Sequence, residues 1–326
     1  MGLFGANYEN PGAGIAKDAP KKKGFFRFME IFGRKFWKLL ELNFLYMLFY
    51  LPLVAASFVY YRCAPGGLRY GLLAIFLLAF AVCFGPALAG HTKILRNFTL
   101  EKPVFMVHDF LKTFRSEFRY SCIVGLLDLL VAACIGSAFY IYPLLIRQSG
   151  SKIWYFFLVV ALSVGVLAVM MNFYVFLMIV ATNLPLKKIL RNALALAFIA
   201  VKKNLLTLLF VGILGAGAGL ILRYWIPGMI LLLFLPASWM GLIICFNCYP
   251  IIQKYIINPY YEQRGEVNPE LTGGTSSSEE SVFEDMGGKE KPVEKKKTSS
   301  GRGKEVLDID RRRFVPDSIA AASMDA

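Results

Sequence analysis

Residues 153–182, IWYFFLVVALSVGVLAVMMNFYVFLMIVAT, run for 30 positions without a Lys, Arg, Asp or Glu. A bilayer's hydrocarbon core takes about 20 apolar helical residues to cross. A soluble amphipathic helix keeps a polar face. This stretch has none, so it reads as a membrane span, long enough to tilt or to continue past the hydrocarbon. Five more stretches read the same way: Leu39–Tyr61, Leu72–Gly90, Cys122–Leu145, Leu205–Leu222 and Ile226–Ile252. Little but RQSGSK separates the third span from the fourth, and only RYW the fifth from the sixth. Links that short force antiparallel hairpins. The expected fold is an all-α polytopic membrane bundle of six transmembrane helices. Kinks are expected at Pro227, Pro236 and Pro250 in the last span, and at Gly85-Pro86 in the second.

Composition agrees. The chain is 57% apolar, with a mean hydropathy of +0.55, above the roughly 45–50% of soluble domains. Six cysteines are too sparse for a disulfide scaffold. The net charge of +14 is unevenly placed: residues 1–263 hold 25 Lys/Arg against 9 Asp/Glu, and residues 264–326 hold 11 against 13. The basic excess therefore travels with the hydrophobic part. That pairing suits an anionic lipid surface; the lipid bilayer is the expected partner, and nucleic acid is not.

Basic residues also orient the spans. The N-terminal segment, the second and fourth loops and the C-terminal tail hold 31 Lys/Arg, and the other three loops hold 5. Both termini are thus expected on the cytoplasmic side. The start, MGLFGANYENPGAGIAKDAPKKKG, is polar and shows no signal-peptide pattern, so residues 1–24 are expected to be a flexible segment. Residues 25–263 form the membrane domain. Residues 264–326, with GGTSSSEE and GGKEKPVEKKKTSSGRGKE, are expected to be a disordered cytoplasmic tail that buries nothing. Three segments on the basic side have apolar residues at helical spacing: Phe25, Met29, Phe32 and Phe36; Phe110, Phe114 and Phe118; Leu186, Leu190, Leu194 and Phe198. Each reads as an amphipathic juxtamembrane helix. The odd spans begin near residues 39, 122 and 205, which suggests three units of similar plan.

No motif for nucleotide, zinc or serine-hydrolase chemistry occurs, so no enzymatic activity, cofactor or metal is expected. His91 and His108 are both placed in the second cytoplasmic loop. Cys245 and Cys248 form a CxxC inside a span, where a thiolate is inaccessible. Polar residues within spans carry more information, because hydrocarbon penalises each one. Asp128 lies about 9 Å into the third span at 1.5 Å per residue. With Asn172, Asn247 and Asn43 it falls in the cytoplasmic half, and the four are the candidate intramembrane polar pocket. Lys38, Arg119 or the asparagines are the candidate partners of Asp128. Gly215 and Gly219 share a face of the fifth span and are expected to pack within the bundle, with a homo-oligomer contact as the alternative.

The stretches FWKLLELNFLYMLFYLPLV, FGPALAGHTKILRNF and NLPLKKILRNALALAF resemble the YesL family, bacterial multi-pass membrane proteins that carry a domain of unknown function. The resemblance covers roughly residues 24–255. It implies a plasma-membrane protein acting as an accessory or scaffold beside a carbohydrate ABC-type uptake system. A small-solute transporter in its own right is the alternative. The topology itself is directly testable. Single cysteines at positions 66, 149 and 224 should react with an impermeant reagent from outside the cell, and reaction only after permeabilisation would invert the orientation.

Overall fold

The computed structural model describes residues 24–224 and 236–266, together with Asn268 and Glu270. All of the expected flexible segment 1–24 except Gly24, and most of the tail, lie outside the described residues, as does Pro227. The described elements are helical: α1 (Phe25–Met47), α2 (Leu51–Arg62), α3 (Gly67–Thr99), α4 (Met106–Ser116), α5 (Phe118–Ser149), α6 (Ile153–Ala181), α7 (Leu186–Ile199), α8 (Val201–Tyr224), α9 (Pro236–Ile252) and α10 (Asn258–Gln263). Among the described residues, six helical segments are long and apolar enough to cross a membrane. The chain is an all-α polytopic membrane bundle.

Local chemistry explains the breaks. Pro52 has no N–H to give the Leu48 carbonyl, and the chain tightens into a 3-10 turn at Leu48–Tyr50 between α1 and α2. Gly150, at φ +64°, closes α5 by donating its N–H to the Ile146 carbonyl. The Trp154 indole N–H then donates to Ser149 Oγ at 2.9 Å across the hairpin turn. Pro86 sits inside a continuous α3, which runs nine residues past the expected end of its span at Gly90. Pro236 opens α9, and Pro250 lies within it, followed by a π-helical turn at Gln253–Ile257.

The chain forms two compact units, 1–36 and 37–326. In the first, Phe28 stacks on Phe32 at 6.1 Å, and Phe32 meets Phe36 edge-on at 5.8 Å. Phe25, Phe26 and Met29 remain exposed, as an interfacial helix requires. In the second unit, α3, α6 and α9 pack against one another as an inner triad. The outer helix α2 lies on α3, α5 bridges α3 and α6, and α8 covers α9. The amphipathic helices α4 and α7 fold back onto α3 and α6, burying Phe110 and Met106 in one case and Ile189, Ala193 and Leu196 in the other.

The core occupies one end of this bundle. In α6, every residue from Phe173 to Val180 is buried, whereas Phe156, Val160 and Val164 are exposed. In α5, burial is confined to Ser121, Val124 and Gly125. The buried end is also the basic end, with Lys93, Arg96, Lys187, Lys188, Lys202 and Lys203. Around the other end, exposed Leu, Val, Ile and Phe side chains present the surface that lipid covers.

Close approach depends on glycines that periodicity alone did not single out. A Cβ on Gly85 would lie 1.9 Å from the Ser121 carbonyl oxygen, and one on Gly125 would lie 2.6 Å from Gly85 Cα. A Cβ on Gly241 would meet Leu95 and His91, joining α9 to α3. For Gly215 and Gly219 the described residues supply no such contact. Both are exposed, and nothing among the described residues lies within 4 Å of a Cβ built on either. The three-unit plan is visible in part: α5 and α8 begin 83 residues apart, at Phe118 and Val201. Their buried first-turn residues, Ser121 and Asn204, have the same spacing.

Gly85→Ala should destabilise the bundle by about 1–3 kcal/mol or more, since backbone has to yield. Gly215→Ala should be neutral or stabilising by about 0.5–1 kcal/mol through helix propensity. Thermal unfolding in detergent measures both, and equal effects would contradict the packing described here.

Candidate functional site

The polar residues of the spans pair across helices. Asp128 on α5 accepts a hydrogen bond from Asn172 Nδ2 on α6 at 2.8 Å. Asn247 on α9 donates to Thr207 Oγ1 on α8 at 3.0 Å. Asn43 on α1 accepts the backbone N–H of Ser238 at 2.9 Å. Ser238 lies in the first turn of α9, where backbone N–H groups have no helical acceptor, so Asn43 caps this helix from a different span. The four candidate residues therefore form three separate ties. Only Asp128 and Asn172 come together, and an asparagine, not Lys38 or Arg119, hydrogen-bonds the carboxylate.

A larger polar assembly surrounds Asn43. The Ser238 hydroxyl is 3.0 Å from His91 Nε2. The His91 ring lies 4.7 Å from that of Tyr46, whose hydroxyl is 3.2 Å from the hydroxyl of Tyr50. His91 is 2% exposed and inside α3, so the loop placement expected for it is wrong. The error has a simple origin: the apolar run ends at Gly90, but the helix continues because its next two turns are buried by α4, α6 and α9. Asn204 escaped notice for a similar reason, standing one residue before the expected fifth span. It takes a hydrogen bond from the Tyr174 hydroxyl and donates to the carbonyls of Leu196 and Ala197, capping α7.

Two cavities open beside these ties. One, of about 300 Å³, is bounded by α1, α3, α6, α8 and α9 and the turn after α1, and has Tyr46, Tyr50, His91, Thr92 and Asn172 on its wall. The other, of about 520 Å³, lies among α3, α5 and α6, with Asp128 and Asn172 on its wall. Asn172 is thus shared. Its Nδ2 is committed to Asp128, while its Oδ1 is buried and has no hydrogen-bond partner. A buried unsatisfied carbonyl costs about 1–3 kcal/mol, and a ligand or water in the cavity would relieve that. The first cavity's polar lining is neutral: phenol, imidazole, hydroxyl and carboxamide.

A third cavity, also about 300 Å³, lies at the basic end among Lys93, Glu117, the end of α6, Tyr260 and Tyr261. Lys93 Nζ donates to the Val180 carbonyl at 3.3 Å, a favourable position for a cation at a helix C-terminus. Burial pushes the Glu117 carboxyl above its ordinary range, and Lys93 pulls against that. Among the described residues there is no cluster of three His, Cys, Asp or Glu placed to hold a metal ion. Cys245 and Cys248 are buried thiols of the α9 core.

Comparison with known proteins finds no family model, no curated protein and no solved structure that matches the chain.

The Asp128–Asn172 tie makes a clear prediction. Asp128→Asn retains an acceptor for Asn172 Nδ2 and should leave the melting temperature in detergent nearly unchanged. Asp128→Leu leaves that donor unpaired and should cost about 1–3 kcal/mol. If the leucine variant is as stable as the asparagine variant, the tie contributes nothing to the fold.

Proposed function

We propose that this membrane protein binds a small neutral solute within its bundle and acts as a permease for it. The observation that carries the reading is the cavity of about 300 Å³ whose polar lining consists of Tyr46, Tyr50, His91, Thr92 and Asn172, with Asn172 Oδ1 lacking a partner. Transporters place solute sites deep in the membrane, at junctions between structural repeats, where a few polar groups replace the solute's hydration. Here the cavity lies where the first hairpin meets the inner helices of the other two. Its hydrogen-bonding groups carry no fixed charge, which favours an uncharged, hydrogen-bonding solute over an ion.

The buried Ser238–His91 pair supports a structural role more than a hydrolytic one. Ser238 is 0% exposed and has its backbone N–H held by Asn43, so the pair ties α9 to α3 and α1. The accessory role beside a carbohydrate ABC-type system, implied by the resemblance to the YesL family, draws support from α4. That helix buries Met106 and Phe110 yet leaves Phe105 and Val107 exposed on its outer side, a surface for lipid or a partner protein.

Proteoliposomes containing the full chain should take up a neutral solute, from a panel of polyols and monosaccharides, saturably and above the rate of empty vesicles. Asn172→Val should reduce that uptake by about tenfold or more, a loss of one hydrogen bond in a dry site. No uptake above background for any solute, with no shift in melting temperature, would overturn the permease reading. Retention of the protein with an intact ABC transporter in mild detergent would then favour the accessory one.

A further inference from the structure

Glu270 stands seven residues past the end of α10 and six into the expected tail, yet it belongs to the bundle. Its carboxylate accepts hydrogen bonds from the Arg96 guanidinium and the Tyr249 hydroxyl, from Lys102 Nζ at 2.9 Å and from Gln253 Nε2 at 3.1 Å. Its own N–H donates to Asn268 Oδ1, and Asn268 Nδ2 reaches Asn258 Oδ1 at 2.9 Å. Asn268 and Glu270 thus lie within the segment expected to be a disordered tail, yet are held against the bundle.

The four donors all come from the bundle. Arg96 belongs to α3, Lys102 to the turn after it, Tyr249 to α9 and Gln253 to the π-helical turn. The Arg96 side chain is 8% exposed, and its guanidinium lies 4.7 Å from the centroid of the Tyr249 ring. Arg96 Nε is buried with no hydrogen-bond partner. Such a cation cannot be left uncompensated without a large desolvation cost. Lys102 is 45% exposed and gives the site an opening to solvent. Burial alone would raise the Glu270 carboxyl, but Arg96, Tyr249 and Lys102 outweigh that and hold it below the ordinary carboxylate range. The contact therefore persists at neutral pH and weakens only as acid protonates Glu270.

We propose that Arg96, Lys102, Tyr249 and Gln253 form an oxyanion-binding site, occupied at rest by Glu270, whose external ligand is phosphate or a phosphomonoester. Charge favours a dianion. Lys93, Arg96 and Lys102 lie within electrostatic reach of one another, and Glu270 supplies one negative charge against them, with Glu117 acting on Lys93. A phosphate group brings more charge and a third acceptor oxygen for the buried Nε and the exposed ammonium. Binding of the ligand and docking of the segment carrying Glu270 exclude each other, so occupancy of the site would release that segment. None of this rests on the solute-permease reading, since the residues involved lie outside the neutral cavity.

The test uses the full chain in nanodiscs of phosphatidylcholine, with inorganic phosphate titrated by calorimetry at constant ionic strength. Wild type should bind weakly, because Glu270 competes. Glu270→Gln should bind about tenfold more tightly, as removal of a competing occupant raises the competent fraction. Arg96→Gln combined with Glu270→Gln should abolish binding. In a second arm the nanodisc contains phosphatidic acid, and the same phosphate titration is repeated. Loss of the free-phosphate isotherm in that arm identifies the lipid headgroup as the source, and an unchanged isotherm identifies the soluble anion; either supports the site. Phosphate binding by Glu270→Gln no tighter than by wild type overturns it. If Glu270→Gln does not fold, Lys102→Met carries the test: its phosphate affinity should fall several-fold below wild type. Equal affinity, or no binding to either, overturns the proposal.

Discussion

The close approach of α3 to α5 at Gly85 and Gly125 is the constraint on which the rest of the bundle depends. Backbone meets backbone there, with no room for even a methyl group on Gly85. In a membrane, helices gain little from hiding apolar surface, because lipid is equally apolar, and association rests on tight packing and interhelical hydrogen bonds. With α5 held this close, α3 meets α2, α4, α5, α6 and α9 together. Its second half therefore leaves the apolar environment of lipid for that of protein, and His91, Thr92 and Arg96 become tolerable inside a helix that began as an ordinary span.

Polar side chains then act as cross-ties. Four such ties join different helices: Asn43 to α9, Asp128 to α6, Asn247 to α8, and His91 to Ser238. In a medium of low dielectric an unpaired group is costly, so these pairs specify which helices meet and in which rotation. Asn172 Oδ1 and Arg96 Nε are both buried without a partner, the first on the wall of the cavities and the second beside Tyr249.

The basic end is organised by a different rule. Charges concentrate there because side chains on that side reach water and headgroups, and several point inward as well. Lys93 reaches the last turn of α6, and Arg96 stacks on Tyr249. Glu270 answers this positive field from a stretch of chain that is otherwise polar. The same concentration of cations thus holds Glu270, beyond the end of α10.

Hydropathy and charge alone determined that this chain is a six-span helical bundle with one basic side. Spans and loops differ in local composition, and composition needs no knowledge of neighbours. The amphipathic helices α4 and α7 were equally legible, since a 3.6-residue period is local. The pairing of Asp128 with Asn172 was half legible: depth marked both residues, but not which would meet. Everything that turns on proximity was decided by the tertiary structure. Gly85 makes a close contact with α5, because a small residue matters only where another helix crosses it. His91 and Glu270 are core residues because α3 is covered to its end and because four donors, spread over residues 96–253, converge on one carboxylate.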